Sequence, residues 1–121
     1  MDDQTLYRLF DIYIVKRSIL TFPKEESFLE QEKFIFVEGG TREVTERGAK
    51  YIEGLDKWTK IKLTYNSWPF KTFLSPPREI WLRKVVESFT LEELPELLID
   101  PRPETRKIAI ETYKKLKEVG R

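Results

Sequence analysis

The chain contains no cysteine and no histidine, and these two absences close most routes to catalysis. Without cysteine there is no disulfide or thiolate nucleophile, and without histidine the usual general base and the commonest metal ligand are missing. The carboxylates do not compensate, because the adjacent pairs Glu25-Glu26 and Glu92-Glu93 project in different directions from a helix. The sequence also has no phosphate loop, dinucleotide fingerprint or nucleophile elbow. We therefore expect no enzyme activity and no bound metal or cofactor.

Long apolar runs and an excess of charge of one sign are absent as well. No stretch approaches the roughly eighteen apolar residues that span a bilayer, and Asp2-Asp3-Gln4 is not a basic leader. The 22 basic and 21 acidic side chains leave a net charge of +1, so any attraction to nucleic acid must be local. We expect a cytoplasmic protein without membrane contact. Scarce amide side chains beside abundant Lys, Glu and Arg are typical of heat-adapted proteins and favour a thermophilic source.

A hairpin followed by a capped helix organises the first half of the chain. The sequence over Phe34–Val37 and Thr41–Val44 is typical of two strands, and Gly39-Gly40 between them tolerates the positive φ of a tight turn. The next residue, Thr45, is a helix N-cap, and the apolar residues after it recur at helical spacing. The sequence thus predicts a two-stranded wing over Phe34–Val44 that leads directly into a helix.

Two helices are predicted before this wing. The first spans Thr5 to Ser18, where the apolar residues on one helical face are Leu6, Leu9, Phe10, Tyr13 and Ile14. The second is short, begins at Pro23 and places Phe28 and Leu29 inward. It is acidic, because the stretch from Phe22 to Glu32 holds one Lys against four Glu.

The order of helix, short helix, hairpin and a helix that opens with Thr-x-x-Gly resembles the winged-helix family over Leu6–Leu55. The resemblance implies a winged-helix-like fold for residues 1–56, in which the helix before the wing reads DNA. The chain departs from the family, since it holds one short helix there where the family places two, and four carboxylates would repel phosphates. The runs Val44–Leu55 and Pro69–Pro76 also resemble small bacteriophage proteins of unassigned role, which implies a viral origin.

Residues 57–74 form a basic, aromatic connector without an acidic side chain. Ile61, Leu63 and Tyr65 alternate with polar residues, which favours a half-buried strand, while helix continuation past Gly54 is the alternative. Such a segment suits nucleic acid, with Lys as phosphate contacts and aromatic rings as stacking platforms. It also suits the anchoring of a linker to the domain, and we favour the anchoring interpretation.

Residues 75–121 are predicted to be helical. A first helix begins at Ser75-Pro76-Pro77, with an apolar face formed by Trp81, Leu82, Val85, Val86 and Phe89. Thr90–Glu93 is a capping box that opens a short helix. The last helix spans Glu104–Val119, and the side chains expected inward are Ile108, Thr112, Leu116 and Val119.

These patterns predict one α+β domain over residues 1–121, mostly helical, made of the winged-helix-like half, the connector and the helical part. We expect a non-catalytic binding protein that docks on a protein partner, because its opposed local charges suit a protein surface better than a polyanion. The two resemblances suggest a partner in transcription or replication, as for a phage-encoded regulator of its host. The alternatives are a DNA-binding transcriptional regulator and a virion structural protein.

The expected anchors are Trp58, Trp68 and Arg78, because Trp and Arg dominate interface energetics where they are exposed. The competing interpretation places both tryptophans in the core. The basic residues expected at the same surface, or against phosphates in the DNA-binding alternative, are Arg42, Lys60, Lys62 and Lys71.

Overall fold

A computed structural model describes residues 1–16, 22–66 and 75–119 of the chain. These residues form seven helices and one two-stranded antiparallel sheet. In chain order the elements are α1 (Asp3–Val15), α2 (Pro23–Gln31), β1 (Ile35–Glu38), β2 (Thr41–Val44), α3 (Glu46–Glu53), α4 (Lys57–Asn66), α5 (Pro76–Glu87), α6 (Leu94–Leu98) and α7 (Pro103–Val119). The predicted α+β, mostly helical class is confirmed. None of the described helices is both long enough and apolar enough to cross a membrane.

The predicted hairpin is confirmed. Strands β1 and β2 pair antiparallel, with Ile35 opposite Val44. Gly39 and Gly40 make the turn with φ values of 56° and 83°, a region that side chains with a Cβ rarely adopt. The Thr45 hydroxyl accepts a hydrogen bond from the Gly48 N–H at 3.1 Å, so the chain passes from β2 into the capped helix α3 as predicted.

The strand predicted over Trp58–Tyr65 is wrong, because these residues lie in α4. This helix is buried on two sides, since Ile61 belongs to one hydrophobic cluster and Leu63 to the other. A helix with two buried faces has apolar residues outside a single stripe, and here they imitate the alternation of a strand. Thr64, on the polar side of the predicted strand, is fully buried and donates a hydrogen bond to the Lys60 carbonyl at 2.9 Å.

Two hydrophobic clusters hold the elements together. The first gathers residues of α1, α2, β1, α3 and α4, and Leu9 and Phe10 are among its fully buried members. The second gathers residues of α4, α5, α6 and α7, with Leu97 fully buried inside it. Trp81 of α5 packs against both clusters. The clusters are therefore connected through α4 and through one aromatic side chain.

Two apolar side chains that were expected inside lie at the surface. Phe28 of α2 is 40% exposed, whereas the neighbouring Leu29 is fully buried. Consecutive helical residues point about 100° apart, so a short helix that packs on one face buries only one of the two. Val119, the last residue of α7, is 83% exposed.

Candidate functional site

Seven residues were predicted to form a partner-binding surface, and the structure does not bring all of them to one face. Trp68 and Lys71 lie outside the described residues. Of the other five, Trp58 and Lys62 are exposed, Arg42 and Lys60 are half-buried, and Arg78 is buried.

The prediction that Arg78 is an exposed anchor is wrong, because only 1% of this residue is exposed. Its guanidinium lies 3.1 Å from the Asp11 carboxylate, donates to the Thr64 carbonyl at 3.2 Å and covers the Phe10 ring at 5.4 Å. Burial lowers the pKa of Arg78, and the Asp11 carboxylate acts in the opposite direction. Arg78 therefore joins α5 to α1 and α4 inside the protein.

The wing arginine, Arg42, is also engaged inside the protein. Its Nε donates to the Glu26 carboxylate at 2.8 Å, and Arg8 donates to the other oxygen of the same carboxylate at 3.0 Å. Burial raises the pKa of Glu26, but hydrogen bonds from Arg42, the Phe22 N–H and Arg8 outweigh this effect and leave the pKa below its ordinary value. The predicted acidic face of α2 thus loses one of its carboxylates to the interior.

The prediction that Trp58 lies at the surface fits its environment on α4. The residue is 37% exposed, and its ring stands edge-on to the Phe89 ring with 5.3 Å between centroids. Lys57 and Glu93 form an ion pair of 2.8 Å beside it. A hydrogen bond from Lys57, helped by the Thr90 N–H, lowers the pKa of Glu93 to about 2. Trp58 is therefore exposed on a braced aromatic support.

Trp58, Lys62 and Asn66 follow one another at intervals of four residues and form an exposed ridge along α4. We call these three residues the α4 ridge. Lys62 and Asn66 also line a groove of about 580 Å³, together with Asp3, Leu6, Tyr7, Thr59, Leu63 and Arg102. Arg102 is held beside this groove by the Asp100 carboxylate at 3.0 Å. The ridge offers one aromatic ring, one ammonium group and one amide to a partner.

A second, more apolar groove lies between the end of α1, strand β2 with α3, and helix α5. Its volume is about 790 Å³, within the range of pockets that accept ligands. We call it the α1–α5 groove, and its lining residues are Ile12, Tyr13, Ile14, Val15, Lys16, Glu43, Val44, Ala49, Pro77, Ile80, Trp81 and Lys84. The sequence signal for this groove was Ile80, an apolar residue of α5 outside the buried stripe.

The Tyr13 hydroxyl and the Trp81 indole N–H belong to two aromatic residues of the α1–α5 groove, and only the first has a hydrogen-bond partner among the described residues. The Tyr13 hydroxyl donates to the Glu53 carboxylate at 3.0 Å, and burial followed by this bond raises the pKa of Tyr13 to about 12. Within the described part of the chain, the buried Nε1–H of Trp81 has no hydrogen-bond partner. Leaving such a donor unpaired costs about 1–3 kcal/mol. Trp81 therefore carries an unpaired donor inside the described part of the protein.

Several of the described carboxylates take part in structural contacts. Among the described residues, no group of three or more acidic side chains is placed to hold a metal ion. Glu26, Glu93 and Glu111 have a lowered pKa and are each bound to a basic side chain. Asp2 and Asp56 also have a lowered pKa, because they accept hydrogen bonds from Thr5 and Thr59. A general acid needs the opposite change, a raised pKa, so these groups are suited to holding structure.

Comparison of the chain with protein-family models, with curated proteins and with solved structures found no match.

Proposed function

We propose that this protein is a non-catalytic binding protein that docks on a protein partner through the α4 ridge. The observation that carries the proposal is the exposed Trp58 ring, held edge-on against Phe89 at the start of a rigid helix. An exposed Trp ring on a fixed support gives a large contact area at a small cost in conformational entropy. Lys62 and Asn66 extend the same face with polar contacts.

The distribution of basic side chains favours a protein partner over nucleic acid. Binding to a polyanion depends on several cations that are free to neutralise phosphates. Arg42 and Arg78 are instead bound to the carboxylates of Glu26 and Asp11, and Lys57 is bound to Glu93. The surface that remains presents an aromatic ring with scattered charges, which is the composition of a protein interface.

The resemblance to winged-helix proteins and to phage proteins suggests a partner in the transcription or replication machinery. Immobilised protein is challenged with a display library of genomic fragments from the source organism and, for a phage source, from its host. We expect fragments of one such machine to be enriched. Trp58→Ala should weaken binding by about 30-fold, equivalent to about 2 kcal/mol for a central aromatic anchor.

Ile99→Ala is the matched control, because Ile99 is 82% exposed and lies in none of the described surfaces. Thermal unfolding of both variants is measured to check that they remain folded. If the enriched fragments bind the Trp58→Ala variant as tightly as they bind the unchanged protein, the α4 ridge is not the docking surface. Salt-sensitive binding of duplex DNA, with no enriched fragment, would favour the DNA-binding alternative instead.

A further inference from the structure

The α1–α5 groove has exposed aliphatic side chains on both of its helices. Ile80 is 59% exposed and Val15 is 46% exposed. Other aliphatic side chains of the same helices, such as Ile12 and Leu82, are fully buried. Exposed aliphatic side chains beside a concave surface mark interaction sites more often than isolated ones do. The groove therefore has the shape and the chemistry to accept apolar side chains.

Two helices line this groove and define what fits between them. The last turn of α1 lies on one side of the groove and the first two turns of α5 lie on the other. Ala49 of α3 also lines the groove. A further helix can pack against such a pair with its apolar side chains in the space between their ridges. Ala49 is small and leaves room for a close approach.

The Trp81 indole forms a fixed aromatic wall of the apolar groove. Its ring stands edge-on to Tyr13 at 5.4 Å between centroids, so the ring is fixed in position. Its Nε1–H is the buried donor without a partner among the described residues. A segment that enters the groove therefore packs against a fixed aromatic ring, and this contact changes the surroundings of the indole.

The charges around the groove favour a partner with carboxylates. Lys16 at the end of α1 and Lys84 on α5 are exposed and carry two positive charges into the rim. Among the described lining residues, Glu43 is the one carboxylate. Opposite charge on a partner would fix its orientation and speed its association.

We propose that the α1–α5 groove binds an amphipathic helix of a protein partner, with carboxylates beside its apolar face that meet Lys16 and Lys84. The inference rests on the proposed function, since the occupant is a protein segment. It adds a second contact surface, separate from the α4 ridge, and states the chemistry that this surface selects.

Two synthetic peptides test the proposal. Both have the same Leu-rich face of an amphipathic helix, and their flanking positions carry Glu in one peptide and Lys in the other. Each is titrated into the full ¹⁵N-labelled chain, and the indole Nε1–H resonance of Trp81, assigned with Trp81→Phe, reports binding in the groove. We expect this resonance to shift with the Glu peptide, which binds about fivefold more tightly than the Lys peptide.

Surface variants with matched controls identify the contact. Ile80→Ala should weaken the Glu peptide about tenfold through lost apolar contact, whereas Ile110→Ala, the same change at an exposed site of α7, should not. Lys84→Glu should remove or reverse the preference for the Glu peptide. Lys114→Glu, at an exposed position of α7, should leave the preference unchanged.

Each remaining outcome overturns a stated part of the proposal. An unshifted Trp81 resonance with both peptides overturns the groove as a helix site. Equal affinity for both peptides, or a preference that Lys84→Glu does not alter, overturns the acidic flank. It is also possible that neither peptide binds, while genomic fragments bind the unchanged protein and not the Trp58→Ala variant. That result overturns the groove as a helix site and leaves the proposed function in place.

Discussion

Gly48 shows how one residue fixes the angle between the hairpin and the helix that follows it. A Cβ atom at this position would lie 2.2 Å from the Phe34 carbonyl oxygen and 2.8 Å from a methyl carbon of Val44. The same Phe34 oxygen accepts a hydrogen bond from the Thr45 N–H at 3.0 Å, so it cannot move away freely. The Thr-x-x-Gly pattern thus combines a cap at Thr45 with a close backbone contact at Gly48.

We predict that Gly48→Ala lowers the free energy of unfolding by about 2 kcal/mol or more, because backbone atoms must shift to admit the methyl group. Urea denaturation followed by circular dichroism measures the change. Gly54→Ala is the control, since its Cβ would lie 3.2 Å from the nearest atom and its backbone is already helical. Equal effects of the two substitutions would contradict the close contact.

Arg78 shows why residue burial was only partly predictable. The residue precedes Leu82 by four positions and so lies on the apolar stripe of α5, a signal that was available in the sequence. Its partner Asp11 is 67 residues away along the chain, and no local pattern points to that pairing. A charged side chain is buried only with such a partner. The position of Arg78 on the apolar stripe therefore could not by itself predict that the residue is buried.

Among the elements, the hairpin and the helix caps were predictable and α4 was not. The turn glycines, the Thr45 cap and the Thr90–Glu93 capping box act over a few residues, and the expected bonds are present. The burial pattern of α4 depends on two clusters built by distant parts of the chain. The same error concealed the α4 ridge. A strand places Lys62 on one face with Lys60, whereas the helix places Lys62 on one face with Trp58 and Asn66.

Thr64 discriminates between the helix and the predicted strand. In α4 it is fully buried, whereas in the strand it would share an exposed side with Lys60 and Lys62. We predict that Thr64→Lys destabilises the protein by about 3 kcal/mol, because it buries an ammonium group beside Arg78. Chemical denaturation measures the loss. Lys62→Thr, the reverse change on the exposed ridge, should alter stability by less than about 0.5 kcal/mol.

At the scale of the whole molecule, a chain of buried and half-buried ion pairs and a shared aromatic residue join the two ends of the fold. Arg42, Glu26, Arg8, Asp11 and Arg78 contact one another in that order, from the wing to α5. Trp81 packs against both hydrophobic clusters. Breaking either connection exposes charged or apolar groups from both clusters, so the clusters are expected to unfold together.

This coupling gives a prediction for the single domain expected over residues 1–121. Leu97→Ala, a cavity deep in the second cluster, should cost about 3 kcal/mol. If the clusters unfold together, the Phe10 amide in the first cluster should exchange with solvent about a hundredfold faster in this variant. Hydrogen exchange followed by NMR measures the rate, with the surface change Ile99→Ala as the control. Faster exchange at Leu94 and Ile108 with an unchanged Phe10 would instead show two independently unfolding units, because only the second cluster would then respond to its own cavity.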